Sequence, residues 1–246
     1  MQSLHHSLTQ QSQENLRSYT HSQQQLKQDS LNNFLSRSKE KDVFASRDNY
    51  RSSSGIKGNL FEANVALLTG KNETVYGLWN TIAGGNSTLS TPGSSIGNYN
   101  PNETPDRVFD QNSTTKYNSY GACNVTFGNA PQCGLNTGLY LTLQQGALLL
   151  TGIRFRTANS LPERDPIKIT VEGSNRPSSA LLLSSSWTLI YNGSCGLDSD
   201  PGRYSLGVTE IISNNVVPYD SYRLLITSKR NLSSAVQYSE VELLGH

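Results

Sequence analysis

Short runs in which apolar and polar residues alternate fill the second half of the chain. Residues 139–143 read Leu-Tyr-Leu-Thr-Leu, and residues 167–172 place Ile167, Ile169 and Val171 on one face. The same period of two recurs at 149–157, 187–191, 222–228 and 236–244. Such strands, separated by turns rich in Gly, Pro and Asn, indicate an all-β fold, either a sandwich or a barrel.

Residues 1–58 have a different pattern. Gln, Ser, Asn, Lys and Arg dominate, and the few leucines sustain no heptad. Too little apolar surface is available to offset the entropy of ordering this segment. We therefore predict a polar, low-complexity tail at 1–58, disordered or weakly helical, that contributes nothing to the fold. A linker is predicted at 59–74 and a β-domain at 75–246.

The charge of the chain argues against some partners. Its 246 residues carry a formal net charge of +1, and 16% of them are charged. This balance gives no reason to expect nucleic acid, and it does not support a membrane lipid as partner. No signal-peptide core or membrane-spanning stretch is visible. The richness in Ser, Thr and Asn fits an extracellular β-protein, so we expect a secreted protein or the extracellular part of a larger one.

The segment 105–117 is rich in side-chain oxygens and has no apolar period. Asp110, Asn112 and Thr115 offer the carboxylate, amide and hydroxyl oxygens that suit a hard cation such as Ca²⁺. A plain Asx-rich turn explains the same composition, because the segment lacks the Gly and Glu positions of an EF-hand loop. Both interpretations stay open.

The last predicted strand changes phase at Glu240. Val236 and Tyr238 place Glu240 on their own apolar face, whereas Val241 and Leu243 follow the opposite phase. The strand therefore contains either an edge bulge with Glu240 in water or a carboxylate that points inward. A buried carboxylate needs a partner, and a cation held by the 110–115 loop would supply one.

Three cysteines occur in the chain. Cys123 and Cys133 lie in a Gly/Asn/Pro-rich stretch with little core of its own, which predicts a disulfide between them. Cys195 is left over, either free or paired outside this chain.

Asn-x-Ser/Thr sequons are frequent in the chain, and all of them lie beyond residue 58. A glycan on the sequon at Asn112 would exclude that side chain as a cation ligand. The remaining candidate glycosylation sites are Asn72, Asn86, Asn102, Asn124, Asn192 and Asn231.

The sequence shows no catalytic constellation. The four histidines, at 5, 6, 21 and 246, lie in the tail or at the last residue, which argues against Ser-His-Asp, Cys-His and common zinc chemistry in the domain. No phosphate-binding loop or dinucleotide fingerprint is present. Glu163 and Asp165 flank Arg164, which fits a salt-bridged loop better than a glycosidase pair. We predict that the chain is not an enzyme.

Several motifs together resemble one family. They are VFDQNSTTKY (108–117), PERDPIKITVEGSN (162–175), WTLIY (187–191), YRLLITS (222–228) and YSEVELLG (238–245). In this order they resemble the discoidin, or coagulation-factor C-type, family of galactose-binding-like β-sandwiches, over roughly residues 79–245. One departure is RPSSALLLSSS (176–186), which lengthens the turn before Trp187.

The resemblance implies a jelly-roll β-sandwich with a structural Ca²⁺ held by Asp110, Asn112, Thr115 and Glu240. It also implies a non-catalytic extracellular module that recognises a carbohydrate or a cell-surface glycoconjugate through end loops. Family members differ in their ligands, so the resemblance identifies no ligand contacts here. The alternatives are a structural or adhesive spacer, and an accessory domain of a larger enzyme.

Overall fold

The structure is a computed structural model that describes residues 65–246, except residues 72 and 127. The predicted tail at 1–58, much of the predicted linker and the sequon at Asn72 lie outside the described residues. Contacts divide the chain into two units, Met1–Leu60 and Phe61–His246, and every described residue belongs to the second. In the described part, no helix is long and apolar enough to cross a membrane.

Strands and short 3₁₀ helices make up the regular structure of residues 65–246. The strands are β1 (Ala66–Leu67), β2 (Thr74–Trp79), β3 (Thr88–Leu89), β4 (Thr91–Pro92), β5 (Asn98–Tyr99), β6 (Tyr117–Ser119), β7 (Thr137–Thr142), β8 (Leu150–Arg156), β9 (Pro166–Ser174), β10 (Thr188–Ser194), β11 (Glu210–Ile211), β12 (Ser221–Lys229), β13 (Val236–Tyr238) and β14 (Glu240–Gly245). The 3₁₀ helices are η1 (Pro105–Phe109), η2 (Pro162–Arg164), η3 (Ser178–Ala180) and η4 (Ser184–Ser186). The all-β class predicted from the alternating runs is confirmed.

Three sheets form from these strands. The six-stranded sheet has the order β10-β9-β12-β7-β2-β3, and the two four-stranded sheets have the orders β1-β14-β8-β11 and β13-β6-β5-β4. All pairings are antiparallel except that of β4 with β5. Because β13 passes into β14 after Ser239, one chain segment links the two smaller sheets.

One hydrophobic core joins the three sheets. Tyr222, Leu224 and Ile226 of β12 point into it, as their spacing predicts. Phe155 of β8 and Tyr238 of β13 meet there edge to face, with ring centroids 5.1 Å apart. Burial of such large side chains is the main favourable contribution to folding.

The six-stranded sheet is also covered on its other face. Trp187 packs there with Tyr140, Leu181 and Leu225 rather than in the main core. The cover consists of the loop 80–87 and the segment 176–187, which contact each other through the Ser87 N–H bond to the Leu182 carbonyl, 2.9 Å. The lengthened turn at 176–186 therefore protects a second, smaller core.

This second face buries a complete ion pair. Arg223 and Glu172 are both 0% exposed, and Arg223 Nε donates to Glu172 Oε2 over 2.7 Å. Arg223 Nη1 also donates to Ser87 Oγ over 2.8 Å, and the Gly84 N–H donates to Glu172 Oε1 over 2.8 Å. The guanidinium carbon lies 4.7 Å from the centre of the Trp187 ring. These contacts fasten the loop 80–87 to the sheet.

The β-sandwich begins earlier in the chain than the sequence predicts. Ala66 and Leu67 pair with β14, and Leu68 is buried in the main core. These residues fall in the predicted linker at 59–74. The sequence analysis missed this pairing because β14, the partner of β1, lies at the far end of the sequence, so no local pattern indicates it.

A disulfide joins Cys123 and Cys133, which is the pairing expected from their loop. Cys195 is a free thiol, fully buried, and its Sγ lies 3.1 Å from the Pro166 carbonyl oxygen. Burial raises the pKa of this thiol to about 12, so it stays protonated and unreactive at neutral pH.

Candidate functional site

A group of polar side chains lies on the outward face of the β6–β13 pair. Asn118 and Gln237 are directly opposite each other in this antiparallel pair, while their neighbours Tyr117 and Tyr238 point into the core. We call the group the polar cluster, and its members are Glu103, Lys116, Asn118, Asn159, Arg164 and Gln237.

Three loops and one 3₁₀ helix bring the cluster together. The Asn118 N–H donates to the Glu103 carbonyl over 3.2 Å, which holds the loop after β5 against β6. Gln237 Nε2 donates to the carbonyl of Ser160, in the loop after β8. Arg164 ends η2, and its Nη2 donates over 2.9 Å to Oγ of Ser234, in the loop after β12.

Lys116 connects the acceptors of the cluster. Its Nζ lies 2.9 Å from Asn159 Oδ1 and 3.0 Å from Gln237 Oε1. It also lies 3.3 Å from Glu103 Oε1, with side chains 13% and 23% exposed. The ammonium group therefore sits near the surface among three oxygen acceptors.

Three buried atoms of the polar cluster have no hydrogen-bond partner within the described residues. They are Glu103 Oε2, Asn118 Oδ1 and Arg164 Nε, that is, two acceptors and one donor. Buried polar atoms in folded proteins nearly always have partners, so each exception needs an explanation. These three atoms are enclosed by protein, so a ligand can contact the cluster only through its more exposed members, such as Lys116, Glu103 and Asn159.

Apolar side chains lie beside the cluster. Leu161 and Leu232 are 40% and 53% exposed, on the loops after β8 and β12. The two loops are adjacent, since the Asn231 N–H donates to the Glu163 carbonyl over 3.1 Å. The surface thus combines a few convergent polar groups with exposed apolar carbon, the composition typical of small-molecule sites.

The structure also brings together the four residues predicted to hold a cation. Thr115 Oγ1 donates to Asp110 Oδ2 over 2.8 Å and lies 2.8 Å from the Asn112 carbonyl oxygen. The Asn112 side chain accepts from Thr114, whose N lies 3.1 Å from Asn112 Oδ1. Glu240 approaches this loop from β14 and is only 8% exposed. Of the two alternatives for the phase change, the structure has the inward carboxylate, after a strand break at Ser239.

Glu240 is energetically unfavourable as an anion in this position. Burial, followed by the charge of Asp110 and a hydrogen bond between the two carboxyl groups, raises the pKa of Glu240 to about 8. Glu240 Oε1 is buried without a hydrogen-bond partner among the described residues. The two carboxyl groups therefore fit a bound cation or a shared proton.

Comparison with solved structures identifies the fold. The F5/8 type C domain of a Bacteroides fragilis protein superposes with a TM-score of 0.50 at 9% identity, over 74% of this chain and 97% of that chain. The chain has the F5/8 type C, or discoidin-like, fold. The resemblance noted in the sequence motifs is confirmed at the level of fold, with its galactose-binding-like sandwich.

Carbohydrate-binding modules are among the other structures similar to this discoidin-like sandwich. The family 32 module of Clostridium perfringens NanJ, in complex with galactose, has a TM-score of 0.47 at 10% identity, over 73% of this chain and 98% of that chain. A family 62 module from Clostridium thermocellum Xyl5A has a TM-score of 0.41 at 18% identity, over 73% and 96%. No protein-family model and no curated protein matches the sequence.

The sequence did not reveal the polar cluster of this discoidin-like sandwich. Its members come from separate segments, and each one taken alone resembles a solvated loop or strand residue. One signal could have indicated it. Asn118 follows the core residue Tyr117, and Gln237 precedes the core residue Tyr238, so both amides lie on the outward face of short strands that loops can cover.

The described sequons lie at or near the surface. The Asn86, Asn102, Asn112, Asn192 and Asn231 side chains are exposed, and Asn124 is half-buried. Each of these positions is open to modification if the chain passes through a secretory compartment.

Proposed function

We propose that the chain is a non-catalytic, extracellular module that binds carbohydrate at the polar cluster. The observation that carries the proposal is the convergence of partly exposed polar groups, those of Lys116, Glu103 and Asn159, beside the exposed side chains of Leu161 and Leu232. These groups lie where the loops after β5 and β8 meet strand β6. Function is argued from such a surface site, because one fold can carry many different functions.

The chemistry of the cluster matches a sugar. A sugar hydroxyl both donates and accepts hydrogen bonds, so it is best held by acceptors and donors placed side by side. Glu103 and Asn159 supply acceptors, and Lys116 supplies donors. Leu161 and Leu232 supply carbon against which the C–H face of a pyranose can pack.

An extracellular location has support from the covalent chemistry of the chain. Disulfides persist in oxidising compartments, and Cys123 and Cys133 are paired. The exposed sequons at Asn86, Asn102, Asn192 and Asn231 fit the same setting.

Ca²⁺ is proposed as a structural ion, separate from the sugar. The donor set is all oxygen, as Ca²⁺ requires, and the positive charge of Arg156 offsets only part of the rise in the pKa of Glu240. Arg107 contacts Asp110 only at 3.5 Å and is exposed. The described residues hold no group of three His, Cys, Asp or Glu side chains that could bind a metal, so the Thr115 hydroxyl and backbone carbonyls would complete the site. A bound Ca²⁺ supplies the positive charge that keeps both carboxylates ionised.

The sugar site can be tested by replacing Lys116. We expect Lys116→Ala to weaken glycan binding at least tenfold, because a hydrogen bond from a charged group contributes about 1.5–3 kcal/mol. The measurement is calorimetric titration of the full chain with the best ligand from an array of neutral and acidic glycans. Asn192→Ala, on β10 and away from the cluster, serves as the matched control and should change the Kd less than twofold.

Two results would count against the carbohydrate proposal. One is a wild-type chain that binds no glycan on the array, which would favour the spacer alternative. The other is equal binding by Lys116→Ala and Asn192→Ala when both variants melt like the wild type.

A further inference from the structure

One long edge strand is open at the end of the six-stranded sheet. β10 has seven residues, and among the described strands it pairs only with β9. The edge strands at the other ends of the three sheets, β1, β3, β4, β11 and β13, have two or three residues each. An uncovered edge of this length presents unpaired backbone N–H and C=O groups with which a second chain can pair.

The sequence of β10 does little to protect this edge. Edge strands are usually guarded by charged side chains, especially Lys, by Pro or by a bulge. β10 contains no Pro and no charged residue, and the whole segment 177–197 is uncharged. A bulge at Ile190 shifts the register, but residues 191–194 pair with β9 in regular register beyond it. Half of the strand therefore remains a regular edge.

The sequon at Asn192 lies in this regular half. Asn192 is exposed, and Gly193 and Ser194 complete the sequon. Of the described sequons it is the one whose Asn lies in a strand, because those at Asn86, Asn102, Asn112, Asn124 and Asn231 begin in irregular segments. The long edge strand and the strand sequon thus coincide.

The bulge also determines which side chain lies beside Asn192. Leu189 is opposite Glu172, and Asn192 is opposite Thr170. Glu172 and Thr170 are two residues apart in β9, so they share a face of the sheet, and their partners in β10 lie on that face too. Leu189 is 51% exposed. A group attached to Asn192 therefore lies beside an exposed apolar side chain as well as on the open edge.

We propose that Asn192 carries an N-linked glycan that covers the open edge of β10 and prevents two copies of the chain from pairing through it. The inference rests on the extracellular part of the proposed function, and the donor is an oligosaccharide carried on a lipid diphosphate. Asn192 Nδ2 bonds to the anomeric carbon of the oligosaccharide and loses a proton, while the bond from that carbon to the lipid diphosphate breaks and the diphosphate leaves. The attached glycan is bulky and solubilising, so it excludes a second strand from the edge.

We expect the transfer to precede folding. In the folded chain the Ser194 hydroxyl donates to the Asp198 carboxylate and accepts from the Gly196 N–H over 2.8 Å. The hydroxyl of the sequon is therefore held in a turn after β10. A chain that is modified while still extended already carries its glycan when β10 becomes an edge.

The test measures occupancy of Asn192 and self-association together. The full chain, directed into the secretory compartment of cultured animal cells by an added signal, is purified from the medium. Peptide mass mapping determines the occupancy of each sequon, and sedimentation equilibrium gives the Kd of self-association. We expect the wild type to carry a glycan at Asn192 and to be monomeric. Asn192→Gln exposes the edge and should lower the Kd of self-association at least tenfold.

Two control variants assign the effect to the edge. Asn231→Gln removes an exposed sequon from the loop after β12 and should remain as monomeric as the wild type. Asn192→Lys removes the same glycan as Asn192→Gln but places a charge on β10, so it should also remain monomeric. Melting temperatures establish that the secreted variants are folded.

A second measurement applies if Asn192→Gln is not secreted. An endoglycosidase that leaves a single sugar on each Asn is used to trim the folded wild type and the folded Asn192→Lys variant. The trimmed wild type should then self-associate, and the trimmed variant should not.

The outcomes separate this inference from the carbohydrate site. Secreted wild type with an unmodified Asn192 would overturn the inference. So would an exposed edge that pairs no more than Asn231→Gln does, or a variant Asn192→Lys that self-associates as strongly as Asn192→Gln. None of these measurements depends on sugar binding, so a chain that binds no array glycan would overturn the carbohydrate proposal and leave this inference standing.

Discussion

Replacing Arg223 by Met is expected to lower the free energy of unfolding by about 3–5 kcal/mol. The variant leaves the Glu172 carboxylate without its counter-ion at a position that is 0% exposed, where an unpaired charge is expensive. It also removes the bond that holds Ser87. Urea denaturation followed by tryptophan fluorescence measures the change, and Trp187 itself reports on this face of the sheet.

A matched control distinguishes burial from charge alone. Arg154→Met breaks the pair with Glu242, whose side chains are 33% and 21% exposed, and it should cost less than about 1 kcal/mol. The double variant Arg223→Met/Glu172→Leu removes both buried charges and should recover part of the lost stability. If Arg223→Met and Arg154→Met cost the same, the ion pair does not fasten the loop 80–87 as described.

Ca²⁺ removal is expected to destabilise the protein most strongly at pH 8 and above. Without a cation, the pKa of Glu240 is raised from its usual 4.5 to about 8, so the unfolded chain releases this proton at lower pH than the folded chain does. The stability of the metal-free protein should therefore be highest below pH 4.5 with respect to this group and fall as the pH rises through 8. The loss is on the order of 2 kcal/mol once solvent screening is allowed for.

Melting curves in EDTA and in millimolar Ca²⁺, recorded at pH 5 and pH 8, test this coupling. Ca²⁺ at a hundredfold excess over its Kd should add about 2.7 kcal/mol of stability at pH 8. Glu240→Gln should abolish both the pH dependence and the Ca²⁺ response, whereas Glu242→Gln, on the same strand but paired with Arg154, should keep both. Identical melting of the wild type in EDTA and Ca²⁺, with no metal found by elemental analysis, would leave Asp110 and Glu240 as a carboxyl pair that shares a proton.

Much of the fold could be predicted because strand burial has a period of two. The alternation at 167–172 and at 222–226 predicted which side chains enter the core. The phase change at Glu240 was also informative, since an acidic residue on an apolar face marked the break at Ser239 between β13 and β14. These features are local, so the sequence around each residue contains the signal.

The remaining features depend on contacts between distant segments. Arg223 alternates with core residues and looks like a solvent-facing strand position, yet the loop 80–87 and the insert 176–186 bury it. Both covering segments look like plain loops in the sequence, because 80–87 is rich in Gly and Asn and 176–186 is rich in Ser. The polar cluster was missed for the same reason, since Asn118 and Gln237 meet across 119 residues of sequence through a strand pairing that only the fold creates.

The most direct test of the account is to locate the bound sugar. The backbone amide signals of the isotopically labelled full chain are followed by NMR while the best array glycan is added. We predict shifts centred on Lys116, Asn118, Arg164 and Gln237, with the segment 174–186 at the other end of β9 unchanged. Shifts confined to that segment, or spread evenly over the sandwich, would contradict the assignment of the polar cluster as the carbohydrate site.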